Sequence, residues 1–155
     1  MSSNIRVKVD RAMAIEAVSK INAVGEEART EIRVQTSRSA RNIERKAKLA
    51  VSVDTGVLRG SIQPQFFDDG MTADIGTNIE YAPFVEFGRL AGRMPPPDAL
   101  EGWARRHGMA GEEFMIARAI GRFGVKERPF LIPAYESEKS AYLSSVRKIL
   151  AGLGR

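Results

Sequence analysis

Val53-Asp54-Thr55-Gly56-Val57-Leu58-Arg59-Gly60-Ser61-Ile62 opens the stretch whose reading decides the fold. Ala73-Asp74-Ile75-Gly76-Thr77-Asn78-Ile79-Glu80-Tyr81-Ala82-Pro83-Phe84-Val85-Glu86-Phe87-Gly88 closes it. Asp54-Thr55-Gly56 is a turn signal, because Asp can bond its own backbone and Gly supplies positive φ. Val57 and Leu58 then begin an extended run through Ile62, Phe66 and Phe67. Asp68-Asp69-Gly70 signals a hairpin, with a second strand over Met71–Gly76. From Tyr81 to Phe87, four large apolar side chains crowd seven positions, which predicts one short helical turn docked on the hairpin. The expected core is Phe66, Ile75, Tyr81, Phe84, Val85, Phe130 and Leu131.

Helical patterns flank this small sheet. Residues 4–9 alternate apolar and charged side chains, as a half-exposed strand does. Asp10 then caps a helix predicted to run to about Ala50. Ile15, Val18, Ile21, Ala28 and Ile32 share one face, and Ile43, Ala47 and Ala50 resume it. Between Arg33 and Asn42 the apolar stripe fades, and such a stretch is expected to face solvent or bridge subunits. Downstream, Gly88 to Pro97 carries three consecutive prolines and predicts an extended, flexible loop. Asp98 would cap a helix to His107 with Leu100 and Trp103 inward, and a further helix presents Phe114, Ile116, Ala117 and Ile120. Phe130–Ile132 reads as a short edge strand or an extended lead-in to a last helix over 134–150. That helix's expected core face is Tyr135, Tyr142, Val146, Ile149 and Leu150. The fold class expected is α+β, one domain over 1–155, with a small antiparallel sheet packed by a long N-terminal helix and a C-terminal helix.

Composition removes several classes of function. There is no cysteine, so disulfides and thiolate metal sites are excluded. The single histidine, His107, excludes a two-histidine site and reads as a helix-end side chain. No apolar run approaches the ~20 residues of a membrane helix, and no signal-peptide core stands at the N-terminus. The net charge of +5 favours an acidic or phosphate-bearing partner. From Arg29 to Lys48 there are seven basic residues and two acidic ones. Arg38, Arg41, Arg45 and Lys48 lie three, four and three apart, which puts them on one helix face. That face is either solvated or meets DNA phosphates or an acidic neighbour, and charge alone does not separate these.

Motifs for catalysis are sparse. Val53-Asp54-Thr55-Gly56 matches the apolar-Asp-Thr-Gly signature of aspartic proteases, where paired Asp residues share a proton. Here a long basic helical segment precedes it, unlike the nearly all-β dimeric proteases. Glu80 and Glu86 could form a carboxylate pair, although ion pairs with Arg59 or Arg128 are the plainer use. Gly76 and Gly88 do not make a phosphate loop, since neither opens a helix with Lys-Ser/Thr. No cofactor and no metal are expected.

Three ordered blocks carry a resemblance. They are Val53 to Ile62, Ile75 to Gly88, and Arg128-Pro129-Phe130-Leu131-Ile132-Pro133-Ala134. Together they are similar to the minor-tail and neck-component family of long-tailed phages, typified by the tenth gene product of a lambdoid coliphage, and more distantly to the lambda-type minor tail protein Z. The motif positions are Asp54, Thr55, Gly56, Leu58, Arg59, Gly76, Thr77, Tyr81, Glu86, Gly88, Arg128, Pro129 and Phe130, and they read as fold or interface determinants. The resemblance implies a non-enzymatic virion protein at the head–tail junction or head-proximal end of the tail, present in the host cytoplasm during assembly. It implies a homo-oligomeric ring of roughly six subunits, or twelve on the portal side, closed by heterologous contacts. Implied partners are adjacent connector, head-closure, tail-terminator, tube or tape-measure proteins, with lumenal DNA as a further candidate and no membrane. The N-terminal strand and the 88–97 loop would serve as arms. A DNA-binding module acting outside a virion is the alternative.

Overall fold

The computed structural model describes residues 5–8 and 25–152. The fold is α+β. A three-stranded antiparallel sheet packs with one long helix from the N-terminal half and one from the C-terminus. The chain divides into two compact units, Met1–Pro83 with Pro129–Arg155, and Phe84–Arg128.

The first unit is built on helix α1, Glu26–Ala50. Glu26 and Glu27 in its first turn complement the positive end of the helix dipole, and Lys48 in its last turn complements the negative end. Ala28, Ile32, Ile43 and Ala47 are buried, as their spacing predicts, but Ala50 is exposed. The expected cap Asp10 and the inward residues Ile15, Val18 and Ile21 lie outside the described residues. The stripe does not fade between Arg33 and Asn42, because Thr36, Ser39 and Ala40 are buried too. Small side chains let another helix approach there, and the polar Thr36 is satisfied in place. Its hydroxyl donates to Met71 O at 3.2 Å and accepts from the Tyr142 hydroxyl at 3.1 Å. An apolar pattern cannot register a buried threonine whose partners come from distant chain positions.

The Asp54-Thr55-Gly56 turn leads into a short helix, α2, Val57–Ser61, and not into the strand expected there. Gly56 takes φ +82° at its start, and the Gly60 N–H closes on Gly56 O at 2.8 Å. Leu58 and Ile62 are the buried pair, and their four-residue separation suits a helical turn, not an alternating strand. β2 (Gln63–Phe67) and β3 (Thr72–Thr77) then form the hairpin around Asp68–Gly70. All three turn residues have positive φ, which Asp tolerates and Gly prefers. β3 is central: it pairs with β2 on one side and β1, Ile5–Lys8, on the other. The N-terminal strand expected as a free arm therefore pairs within its own chain. Ala73, Ile75 and Thr77 on β3 are buried, one face of the pleat.

The last helix, Leu131–Gly152, begins three residues earlier than its sequence pattern suggests. Phe130 is thus the end of an extended lead-in, not a strand. The helix runs antiparallel to α1, with Tyr142 on Thr36, Glu138 on Asn42 and Lys46, and Ile149 and Leu150 against Ile32 and Met71. Its buried residues are Leu131, Ala134 and Glu138, while Tyr135, Tyr142, Val146, Ile149 and Leu150 are partly covered.

Four members of the expected core are not fully buried. Phe66, Tyr81 and Phe84 are exposed, and Val85 is intermediate. Helix α3, Ala82–Glu86, explains this reversal for the last turn of the stretch. Its buried residues are Ala82 and Glu86, four apart on one side, which throws Phe84 outward. Ile75, Phe130 and Leu131 are buried as expected. Each buried aliphatic or aromatic side chain of this size is worth about 1.5–3 kcal/mol relative to exposure.

In the second unit the proline-rich segment is irregular but backbone-tied. Arg89 and Val125 exchange two hydrogen bonds of 2.8 Å, and the Gly92 N–H reaches Gly121 O at 2.8 Å. A 3-10 turn, Pro97–Leu100, precedes α4, Glu101–Arg106. Pro96 occupies the cap position assigned to Asp98, with no side-chain cap bond. Ala104 is the buried residue of α4, while Trp103 stacks on His107 with ring centroids 4.2 Å apart. α5, Glu113–Phe123, buries Ala117 and leaves Phe114 exposed. With the C-terminal helix as α6, the described elements are complete.

Glu138 gives the first unit a pH signature. Lys46 Nζ lies 2.7 Å from one carboxylate oxygen and Asn42 Nδ2 donates to the other at 2.9 Å. Burial, the largest influence, pushes the carboxyl upward. The Lys46 and Asn42 hydrogen bonds and the charges of Lys46 and Arg45 outweigh it and leave Glu138 below its ordinary value. A lowered folded-state value stabilises above the unfolded value of about 4.3 and loses that stabilisation as pH falls through the folded one. Thermal melts of Glu138→Gln are therefore expected to lie below wild type at about pH 7, with the gap closing below about pH 4. A gap that stays constant across that range would show that the carboxylate charge is not the source.

Candidate functional site

The basic residues of α1 do not act as one row. Arg38, Arg41 and Arg45 are exposed and Lys48 is partly covered. Arg41, Glu44, Arg45, Lys48 and Leu49 form one wall of an open groove of about 630 Å³. Gly56, Arg59 and Gly60, from the turn and α2, form the other. Arg38 does not line it. Lys48 is committed to Glu44, with Nζ 2.6 Å from the carboxylate. Arg41, Arg45 and Arg59 make no ion pair within 4 Å among the described residues.

Gly56 is what brings Arg59 to α1. Its left-handed backbone turns the chain into α2 as soon as the Asp-Thr-Gly turn ends. Leu58 points inward and is buried, so Arg59, the next residue, is left at the surface. The opposite end of α2 is locked to the hairpin. Ser61 Oγ donates to Leu58 O at 2.9 Å and accepts from Thr77 Oγ1 at 2.6 Å. Thr77 Oγ1 in turn accepts from the Ile79 N–H at 3.1 Å. Two of the three sequence blocks are thereby joined by one hydroxyl pair.

The remaining motif positions divide by burial. Gly76 lies in β3 opposite Arg6 and Gln63. Thr77, Glu86 and Phe130 are buried, whereas Asp54, Thr55, Tyr81, Arg128 and Pro129 are exposed. Gly88 adopts φ +70°, and a Cβ there would stand 2.6 Å from Val125 O. The Arg128 N–H donates to Val85 O at 2.8 Å. Sequence reasoning placed Arg59 among fold or interface determinants and missed its place in the groove. The Leu-Arg alternation beside a turn glycine was the available signal. Glu44 and Leu49, also in the groove wall, carried no signal of their own.

Chemically, the groove offers planar guanidinium forks, which pair bidentately with carboxylate or phosphate. An acid dyad needs a second carboxyl about 3 Å away; Asp54 stands exposed in a turn that the fold uses to redirect the chain. No group of three or more His, Cys, Asp or Glu among the described residues could hold a metal ion. No helix among them is long and apolar enough to cross a membrane.

Residues 15–88 match a family model described as "Bacteriophage HK97-gp10, putative tail-component". The match spans just under half of the chain. It contains α1, the groove, the hairpin and the first two sequence blocks, and stops before Arg128–Ala134. No curated protein and no solved structure gives a significant match to the chain.

Proposed function

We propose, taking as premise that residues 15–88 carry the sequence of the HK97-gp10-like phage tail-component family, that this protein is a non-enzymatic structural subunit of a phage tail. It assembles as a ring around the DNA channel at the head-proximal end of the tail, and joins or completes the tail there. The family match is the observation that carries this reading. The use of the motif residues supports it: Gly56, Leu58, Ser61 and Thr77 are spent on turn, core and hairpin linkage. A chain with its motifs invested in shape has assembly as its output. The whole chain then works as one assembly subunit, with heterologous contacts closing the ring.

The test is genetic and structural. Deleting the gene from its phage is expected to yield heads and tails that fail to join or tails of incomplete form, with infectivity restored by the wild-type copy. Image reconstruction of complemented particles is expected to place the protein near the head–tail junction. Infective particles that assemble without it would overturn the reading. Proteolytic maturation lost in Asp54→Asn, with particle assembly intact, would instead establish the protease alternative. The unpaired arginines give specific weight to a second reading, a DNA-binding module, which requires tight, salt-dependent binding of duplex DNA by the isolated chain.

A further inference from the structure

We infer that the groove between α1 and α2 receives an acidic, leucine-bearing segment of a neighbouring tail subunit, whose carboxylates pair with Arg41, Arg45 and Arg59. The inference rests on the tail-component reading only for where that neighbour resides. Three observations select a polypeptide over nucleic acid. Glu44 stands in the groove wall paired with Lys48, so that stretch of the wall is neutral and offers a phosphate backbone no free cation. A polypeptide can instead present a neutral or basic side chain at that one position.

Apolar surface is the second observation. Leu49 lines the groove at 77% exposure, and Val53 and Val57, each 54% exposed, flank the turn beside it. A sugar–phosphate backbone gives such side chains nothing to bury against, whereas a leucine from a protein partner does. Third, the lining contains no aromatic residue, so it offers no platform on which single-stranded bases would stack. Charge complementarity supplies the rest. Arg45 already stabilises Glu138 from a distance, and its head group with those of Arg41 and Arg59 has no ion partner among the described residues. A groove of about 630 Å³ accommodates several side chains at once.

The experiment uses the full chain and a labelled peptide of repeating Glu-Glu-Leu, followed by fluorescence anisotropy. An all-Glu peptide of the same length and a short DNA duplex serve as competitors. Arg45→Ala and Arg59→Ala are each expected to weaken the Glu-Glu-Leu peptide about tenfold, and Arg59→Lys less, since it keeps charge but loses the planar fork. Leu49→Ser is expected to weaken that peptide about fivefold and leave the all-Glu peptide unchanged. All three side chains are exposed, so thermal melts should move little, Arg45→Ala losing only its distant attraction to Glu138. DNA displacing the peptide at lower concentration, with Leu49→Ser neutral, would assign the groove to nucleic acid and overturn the inference. Absence of binding by every probe would leave the arginines merely solvated and overturn it equally. Either failure leaves incorporation into particles, the test of the assembly reading, standing on its own.

Discussion

Phe130→Ala is expected to remove about 3–5 kcal/mol of folding stability, the usual cost of deleting a buried phenyl ring. Phe130 is fully enclosed, at 0% exposure, and is the largest of the completely buried side chains among the described residues. It stands immediately before Leu131, where α6 begins, so it anchors the start of the helix that runs along α1. A cavity there cannot collapse easily, because Leu131 and Ala134 are themselves buried. Domains hold about 5–15 kcal/mol in all, so the variant should sit close to its unfolding threshold. Denaturant melts would show the midpoint falling with little change in slope. Phe84→Ala supplies the contrast. Its ring is half exposed on the outer side of α3 with Arg89 over its face, and the cost should be about 1 kcal/mol, well below that of Phe130. Equal losses from the two substitutions would mean that the assignment of inside and outside along the Tyr81–Phe87 turn is wrong.

The same pair of phenylalanines shows what could be read from the sequence and what could not. Residue type and clustering marked both as core, and only Phe130 is buried. What decides is direction: with Ala82 and Glu86 on the inner side of a five-residue helix, Phe84 has no inward position. One helical turn is too short for a period to be measured, so the larger residue attracts the prediction and the smaller one takes the interior. The hairpin was legible because Asp68-Asp69-Gly70 states its chemistry locally, in residues that accept positive φ. α1 was legible at Ala28, Ile32, Ile43 and Ala47, and lost where Thr36, Ser39 and Ala40 take over. The buried Thr36 hydroxyl is satisfied by Tyr142 and Met71, which no local window contains. The groove falls between these cases. Three of its cations follow from helical spacing on α1, but Arg59 joins them only through the backbone turn at Gly56. Long-range juxtaposition of that kind leaves little trace in one sequence.

Gly124→Ala is expected to dismantle the Arg89–Val125 pairing of the second unit. The Gly124 backbone lies at φ +75° and ψ −164° at the end of α5. That region is essentially reserved for glycine, and occupying it with a side chain costs about 1–3 kcal/mol. Space adds to the strain. A Cβ at this position would overlap the Arg89 carbonyl oxygen and stand 3.0 Å from the Ala91 nitrogen. Both obstacles are backbone, so no flexible side chain can swing aside. The Arg89 carbonyl is also the acceptor for the Val125 N–H at 2.8 Å, and displacing it breaks that bond and its reciprocal together. The loss should concentrate where those bonds are. Hydrogen exchange of the Arg89 and Val125 amides is expected to accelerate by about a hundredfold, the counterpart of roughly 2.7 kcal/mol. Amides of α1 and β3 in the first unit should keep their protection, because their hydrogen bonds and buried contacts do not involve this pairing. Gly108→Ala is the matched control, with positive φ but open space around it, so it should show strain without the steric component. Unchanged exchange at Arg89 and Val125 in Gly124→Ala would sink the prediction, since it would mean that the close approach of the two segments tolerates a methyl group.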